Sequence, residues 1–230
     1  MSYQSVLPQD LLGPLNEVEQ KNAPKTLYVG GDTGILGEGA RVSIVGSRKA
    51  SPEGLRRASK LAGLLAGRGI VIVSGLAEGI DTAAHMAAIN RGGRTIAVLG
   101  TPLDQVFPRQ NAALQDQIMR DHLAVSQFPA GNPIQRKNFP LRNRTMALIS
   151  DATVIIEAGN TSGSLSQGWE ALRLGRPLFL AKSVTEDASL TWPAEMIHYG
   201  ADVLSDQTVE EFFDSLPARI PAKLDGTIPF

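Results

Sequence analysis

The chain has 230 residues, enough for one large domain or two small ones. It is 43% hydrophobic and 20% charged with a net charge of −1, so it is not a generally basic nucleic-acid binder, and any anion site must come from local clustering. It has no cysteine, which excludes disulfide frameworks, thiolate zinc sites and cysteine nucleophiles and makes a reducing cytoplasm the simple expectation.

The N-terminal MSYQSVLPQDLL has no basic segment ahead of an apolar one, so no signal peptide is read there, and no apolar run approaches a membrane span. Residues 1–39 read as a leader packed on the domain: a short helix near 9–20, then the glycine-rich loop GGDTGILGEGA. Short β-branched runs follow at 42–46, 70–75, 95–100, 124–128, 153–158, 177–181 and 201–205, and most gaps between them carry a helical pattern. The clearest gap is 52–69, where Leu55, Ala58, Leu61, Ala62 and Leu65 share one face. A helix is predicted to start near Pro140 in NFPLRNRTMALIS, and Thr208 with Glu211 reads as a capping box. Continuous apolar strands alternating with helices predict one α/β domain over 40–216, a doubly wound, mostly parallel sheet. Residues 217–230 read as a loosely held tail.

In such sheets ligands collect beyond the carboxyl ends of the strands. After the first β-branched run, Gly46 permits a turn with open amides, and Ser47, Arg48 and Lys49 could face a phosphate; the plain alternative is a solvated surface turn. After the second, Ser74, Gly75 and Gly79 form a tight polar loop. Asp81 opens the next helix with His85 one turn on, a pair read as a structural hydrogen bond in preference to a catalytic couple. After the fifth, Gly159, Ser162, Gly163 and Ser164 make a small-residue loop that opens a helix, the general form of a phosphate cradle.

The segment RKNFPLRNR holds Arg136, Lys137, Arg142 and Arg144 with no acid among them. Read from Pro140, Arg142 and Arg144 fall in the first helical turn, where the helix dipole disfavours cations and an anion would relieve them. Phe139 stands between as a plate for a base. Equally, Phe139 could be core and the arginines could pair with distant acids. A P-loop, GxGxxG with a ribose-binding acid, HExxH and GxSxG are all absent, and the three histidines have no metal spacing, so neither a cofactor nor a metal is expected. His122 and His198 read as helix-end residues, and Trp169 and Trp192 as packing against the sheet.

The segments LYVGG, VSIVGSRKAS, SGLAEGIDTAAH, TIAVLGTPLDQVFP, NFPLRNR, VIIEAGNTSGSL and ALRLGRPLF, in this order over residues 24–181, resemble the DprA/Smf family of bacterial DNA-processing proteins. The resemblance implies a Rossmann-like domain of the SLOG group, single-stranded DNA bound in a basic pocket, a homodimer, and delivery of a RecA-type recombinase to the strand. It maps the pocket onto Arg48, Lys137, Arg142 and Arg144, with Asn143 inside the same motif. The chain departs from the family pattern where SGSL is followed by SQGWEA in place of ITA, and KSV follows PLFLA in place of proline–glycine. Such departures suit a divergent branch with a partner in a mobile-element or defence cluster.

Two other functions fit the same loops. One is a sensor that binds a nucleotide signal. The other is a phosphoribohydrolase, whose catalytic glutamate would fall at Gln167, where an amide can neither ionise nor act as a base. Glu170, one turn away, could replace it only if the helix were rotated. The expectation is therefore a DNA-binding protein without catalysis.

Overall fold

Alternation of β-branched runs with helical stretches builds the sheet. In the computed structural model, which describes residues 3–217, each of the seven expected strands is present within two residues of its expected bounds. Chain order begins with β1 (Gln4–Val6), α1 (Pro8–Leu12), α2 (Glu17–Asn22), β2 (Leu27–Gly31) and the single turn α3 (Ile35–Glu38). The centre comprises β3 (Arg41–Gly46), α4 (Pro52–Gly67), β4 (Val71–Ser74), α5 (Ile80–Asn90), β5 (Thr95–Leu99), α6 (Ala112–Asp121) and β6 (Leu123–Ser126). Then come α7 (Asn138–Ile149), β7 (Ala152–Glu157), α8 (Ser164–Arg173), β8 (Leu178–Ala181), α9 (Lys182–Thr185), α10 (Trp192–His198), β9 (Asp202–Leu204) and α11 (Val209–Asp214).

The strands form one sheet in the order β1-β2-β6-β5-β4-β3-β7-β8-β9. All pairings from β6 across to β9 are parallel, and β2 runs against both its neighbours. Alternate strand residues bury on opposite faces, as the two-residue pleat requires. Val45, Val73 and Ile155 pack with Met146 of α7 and with Trp192 and Met196 of α10. Ile44, Ile72 and Val154 pack on the other face with Ala58, Leu61 and Leu65 of α4 and Ile80 and Ala84 of α5. Each fully buried leucine or isoleucine contributes about 1.5–3 kcal/mol, so burial on both faces secures a doubly wound sheet. No helix among the described residues is long and apolar enough to cross a membrane.

Four local expectations change. The leader is not a helix and loop laid on the domain: its LYVGG segment is strand β2, bonded to β6, and Gln4–Val6 adds an edge strand. The helix expected near 9–20 is two helices, broken at Gly13 (φ +83°) and Pro14 and restarted by a capping box between Asn16 and Glu19. At Thr208 no capping box forms, because its hydroxyl donates to the Val203 carbonyl and accepts from the Ser205 amide in the turn after β9. Helix α7 starts at Asn138, not at Pro140, so Arg142 and Arg144 lie in its second turn. The tail expected at 217–230 falls, after Pro217, outside the described residues.

Candidate functional site

The strand order reverses between β3 and β7, and a cavity of about 510 Å³ lies beyond their carboxyl ends. Open α/β sheets place ligands at this position because the loops from the two strands diverge there. Its wall brings together Gly46, Ser47, Arg48 and Lys49 after β3, and Ser162, Gly163 and Ser164 at the start of α8. Phe139, Arg142 and Asn143 of α7 complete it with Asp81 of α5 and Gln167 of α8.

The turn after β3 is held tightly. A Cβ on Gly46 would stand 2.6 Å from Ile80 Cγ1 and 2.8 Å from the Glu157 carbonyl oxygen, so no larger residue fits. The Ser47 amide donates to the Glu157 carbonyl (2.7 Å), and the Glu157 carboxylate accepts from the Ser51 amide (2.9 Å) and hydroxyl (2.5 Å). These bonds anchor the turn to the end of β7 and leave the side chains of Arg48 and Lys49 exposed. Neither has a carboxylate partner among the described residues, and the same holds for Arg136 and Lys137.

On the opposite lip, the Arg48 guanidinium lies 5.3 Å from the centroid of the Phe139 ring. Phe139 is half-buried and also meets Phe107 in a tilted contact with centroids 5.4 Å apart. Phe139 is therefore neither core nor free. It is a half-buried plate at the mouth, with an exposed cation over it. The helix N-terminus of α8 faces the same space, and its Ser162 and Ser164 hydroxyls bond each other at 2.6 Å.

Asp81 and Arg142 make the charged part of the floor. The Asp81 carboxylate accepts from the amides of Gly75 (3.1 Å) and Ala77 (3.3 Å), which folds the loop after β4 back on itself. That loop holds Leu76 at φ +56°, an unusual conformation for a branched residue. Burial pushes the Asp81 carboxyl above its ordinary value, and the Arg142 charge opposes the shift. Burial likewise lowers Arg142, with Asp81 supporting its charge. Arg142 is only 5% exposed, and its Nη1 donates to the Val98 carbonyl at 2.9 Å.

Four residues assigned from sequence lie outside the wall. Ser74 is fully buried and its hydroxyl donates to the Ile44 carbonyl. Gly75 is covered by the Arg142 guanidinium. Lys137 is exposed at the N-cap of α7. Arg144 points away and pairs with Glu170 at 2.9 Å, which also takes Arg173. Arg142 is a buried cation in the cavity floor and Arg144 is in a surface ion pair; neither lies in the first turn, because α7 starts two residues before Pro140. His85 does not bond Asp81 either: its Nδ1 meets the Thr95 hydroxyl at 2.6 Å, and that hydroxyl donates to the Ile72 carbonyl.

Gln167 lines the cavity, whereas Glu170 is bound up in its two arginine pairs outside it. Sequence reasoning missed Phe107 and the clamp from Glu157 to Ser51. An acid closing a β-branched run beside a glycine turn was a readable signal for the clamp; Phe107 had none.

The profile of the family described as DNA recombination-mediator protein A matches residues 6–217. The chain is 33% identical to the DNA processing protein DprA of Bacillus subtilis over 196 residues, 85% of this chain and 65% of that protein, so it spans just under two thirds of that relative's length. The X-ray structure of DNA processing protein A from Streptococcus pneumoniae superposes with a TM-score of 0.77 at 35% identity, covering 91% of this chain and 74% of that one. A solved structure of DNA processing protein A from Helicobacter pylori, described for its single-stranded DNA binding mode, gives a TM-score of 0.78 at 27% identity, covering 94% of this chain and 97% of that one. With a matching profile over nearly the whole described chain and relatives of this identity, the chain belongs to the DprA family.

Proposed function

We propose that this protein binds single-stranded DNA across the mouth of the β3/β7 cavity and acts in DNA processing or recombination. The observation that carries the reading is Arg48: an exposed cation without a carboxylate partner among the described residues, held by a clamped turn over the ring of Phe139. A phosphate would draw the guanidinium off the ring and leave that face for a base, so one move supplies a charge contact and a stacking plate. The positive end of α8, with the Ser162 and Ser164 hydroxyls beside it, offers a second phosphate position. Homodimerisation and a RecA-type partner enter this reading from the family resemblance.

A plate and exposed cations at the cavity mouth, with the exposed Lys137 beyond the wall, suit a polymer better than a free nucleotide signal. Catalysis is not part of the reading. Glycoside hydrolysis uses a carboxyl pair, and among the described residues the cavity wall offers one carboxyl group, Asp81. Incubation with nucleoside monophosphates should release no free base; release abolished by Asp81→Asn would reverse that conclusion. The test of binding is a titration of single-stranded DNA, duplex DNA and free nucleotides at two salt concentrations. Tight, salt-dependent binding confined to single strands supports the reading, and equal binding of mononucleotides overturns it.

A further inference from the structure

We propose that the cavity admits the edge of one nucleobase of the bound strand, and that Gln167 with Asn143 selects bases carrying an exocyclic amino group. The proposal rests on the DNA-binding reading above.

Asn143 is 6% exposed, and both hydrogens of its Nδ2 are spent, one on the Gly163 carbonyl (3.1 Å) and one on the Ser166 hydroxyl (2.6 Å). A carbonyl can only accept, so this fixes the amide's orientation and leaves Oδ1 as its remaining acceptor. Gln167 is fully buried in the same wall. Its Nε2 donates to the Thr153 hydroxyl at 3.3 Å, and its Oε1 has no partner among the described residues. A buried amide oxygen without a partner costs free energy, about 1–3 kcal/mol, and a ligand donor would recover it.

The segment in which the chain departs from the family pattern, SQG after SGSL, supplies Gln167 and also Ser166, the hydroxyl that locks Asn143 of α7. The cavity's volume, about 510 Å³, lies within the range of pockets that enclose small ligands, about 300–1,000 Å³. Asp81 is bonded to two amides and Arg142 Nη1 to the Val98 carbonyl, while Arg142 Nε is buried without a partner among the described residues. Asn143 Oδ1 and Gln167 Oε1 form a pair of acceptors in the same wall. Cytosine presents an amino donor at the position where uracil presents a carbonyl acceptor, so an acceptor pair favours the first and repels the second.

The experiment titrates the full chain with oligo-dC and oligo-dU of equal length at one salt concentration. Oligo-dC should bind roughly five- to tenfold more tightly, the worth of about one hydrogen bond. In Gln167→Met the ratio of oligo-dC to oligo-dU affinity should collapse toward unity. A strand of 4-deaminated pyrimidinone should lose the preference with the parent protein, which keeps the test decisive if the variant fails to fold. Equal binding of both strands, or tighter oligo-dU, overturns the proposal and leaves DNA binding standing. A preference that survives both Gln167→Met and the deaminated strand also overturns it. Binding of neither strand would remove the DNA reading itself.

Discussion

The guanidinium of Arg142 occupies the space where a side chain on Gly75 would be: a Cβ built on that glycine meets Nη1 and Cζ. The glycine after β4 and the arginine of α7 are thus one feature. Absence of a side chain at one lets a long cation pass from the helix to the Val98 carbonyl at the end of β5. There it lies close enough to oppose the burial of Asp81. The floor of the cavity is fixed by this placement rather than by the loops after β3 and β7.

Removing the cation should therefore act on stability first. Arg142→Ala leaves Asp81 buried without its compensating charge, a change that typically costs about 3–5 kcal/mol. The sign with pH is set by the carboxyl, whose folded value is already raised by burial and would rise further in the variant. Above the unfolded carboxylate range the unfolded state ionises more readily, so stability falls as pH increases through the folded value. Urea unfolding should show a larger deficit relative to the parent at neutral pH than near pH 4. A deficit independent of pH would mean that the two groups do not sense each other.

His85 works in the opposite sense. Burial, with smaller effects from His122 and Arg142, lowers its folded value to about 3 from an ordinary 6.5. The unfolded chain takes up a proton near 6.5 that the folded chain refuses until about 3, so His85 makes stability fall as pH drops through that window. Asp81 opposes this in the acid range, so the parent curve mixes both. His85→Gln, which cannot titrate, should be less acid-sensitive than the parent between pH 6.5 and about 4, read as the difference between their unfolding midpoints.

Salt dependence separates the cations that face DNA from those that do not. If Arg48, Lys49 and Lys137 each neutralise a phosphate, log affinity should fall with log salt at a slope of roughly −2. Arg48→Ala should weaken all sequences alike and flatten that slope by somewhat less than about one unit. Arg144→Ala should leave affinity and slope unchanged, since its charge is engaged by Glu170. A flattened slope in Arg144→Ala would show that the ion pair opens to bind DNA.

The sheet was legible because each β-branched run had to be buried on both faces, and the loops that line the cavity because turns of glycine and serine sat at carboxyl ends. β2 was harder to read, since LYVGG ends in two glycines and runs antiparallel to β6. The roles of Arg142 and Arg144 were not legible at all. They are two residues apart in one helix, and only the helix's true start and the position of Gly75 and Glu170 in space decide that one is buried and the other exposed. Local charge pattern records that cations are present. It does not record which acids tertiary folding delivers to them.

Gly100 gives the test of the aromatic plate that does not touch a charge. A Cβ there would stand 2.6 Å from Phe139 Cδ1 and 2.9 Å from Cε1, closer than side-chain carbons pack, so Gly100→Ala must move the ring. Phe139 is half-buried at the cavity mouth and can yield outward, so the variant should fold with little loss of stability. If the ring stacks on a base, moving it should weaken single-stranded DNA binding by up to about 1–3 kcal/mol, the range of a base–aromatic stack. The salt slope should stay at the parent value, because no phosphate contact is lost. Phe139→Ala should match it in both respects. Undiminished affinity in both folded variants would leave Phe139 as a packing residue beneath Arg48 and assign the binding energy to the cations alone.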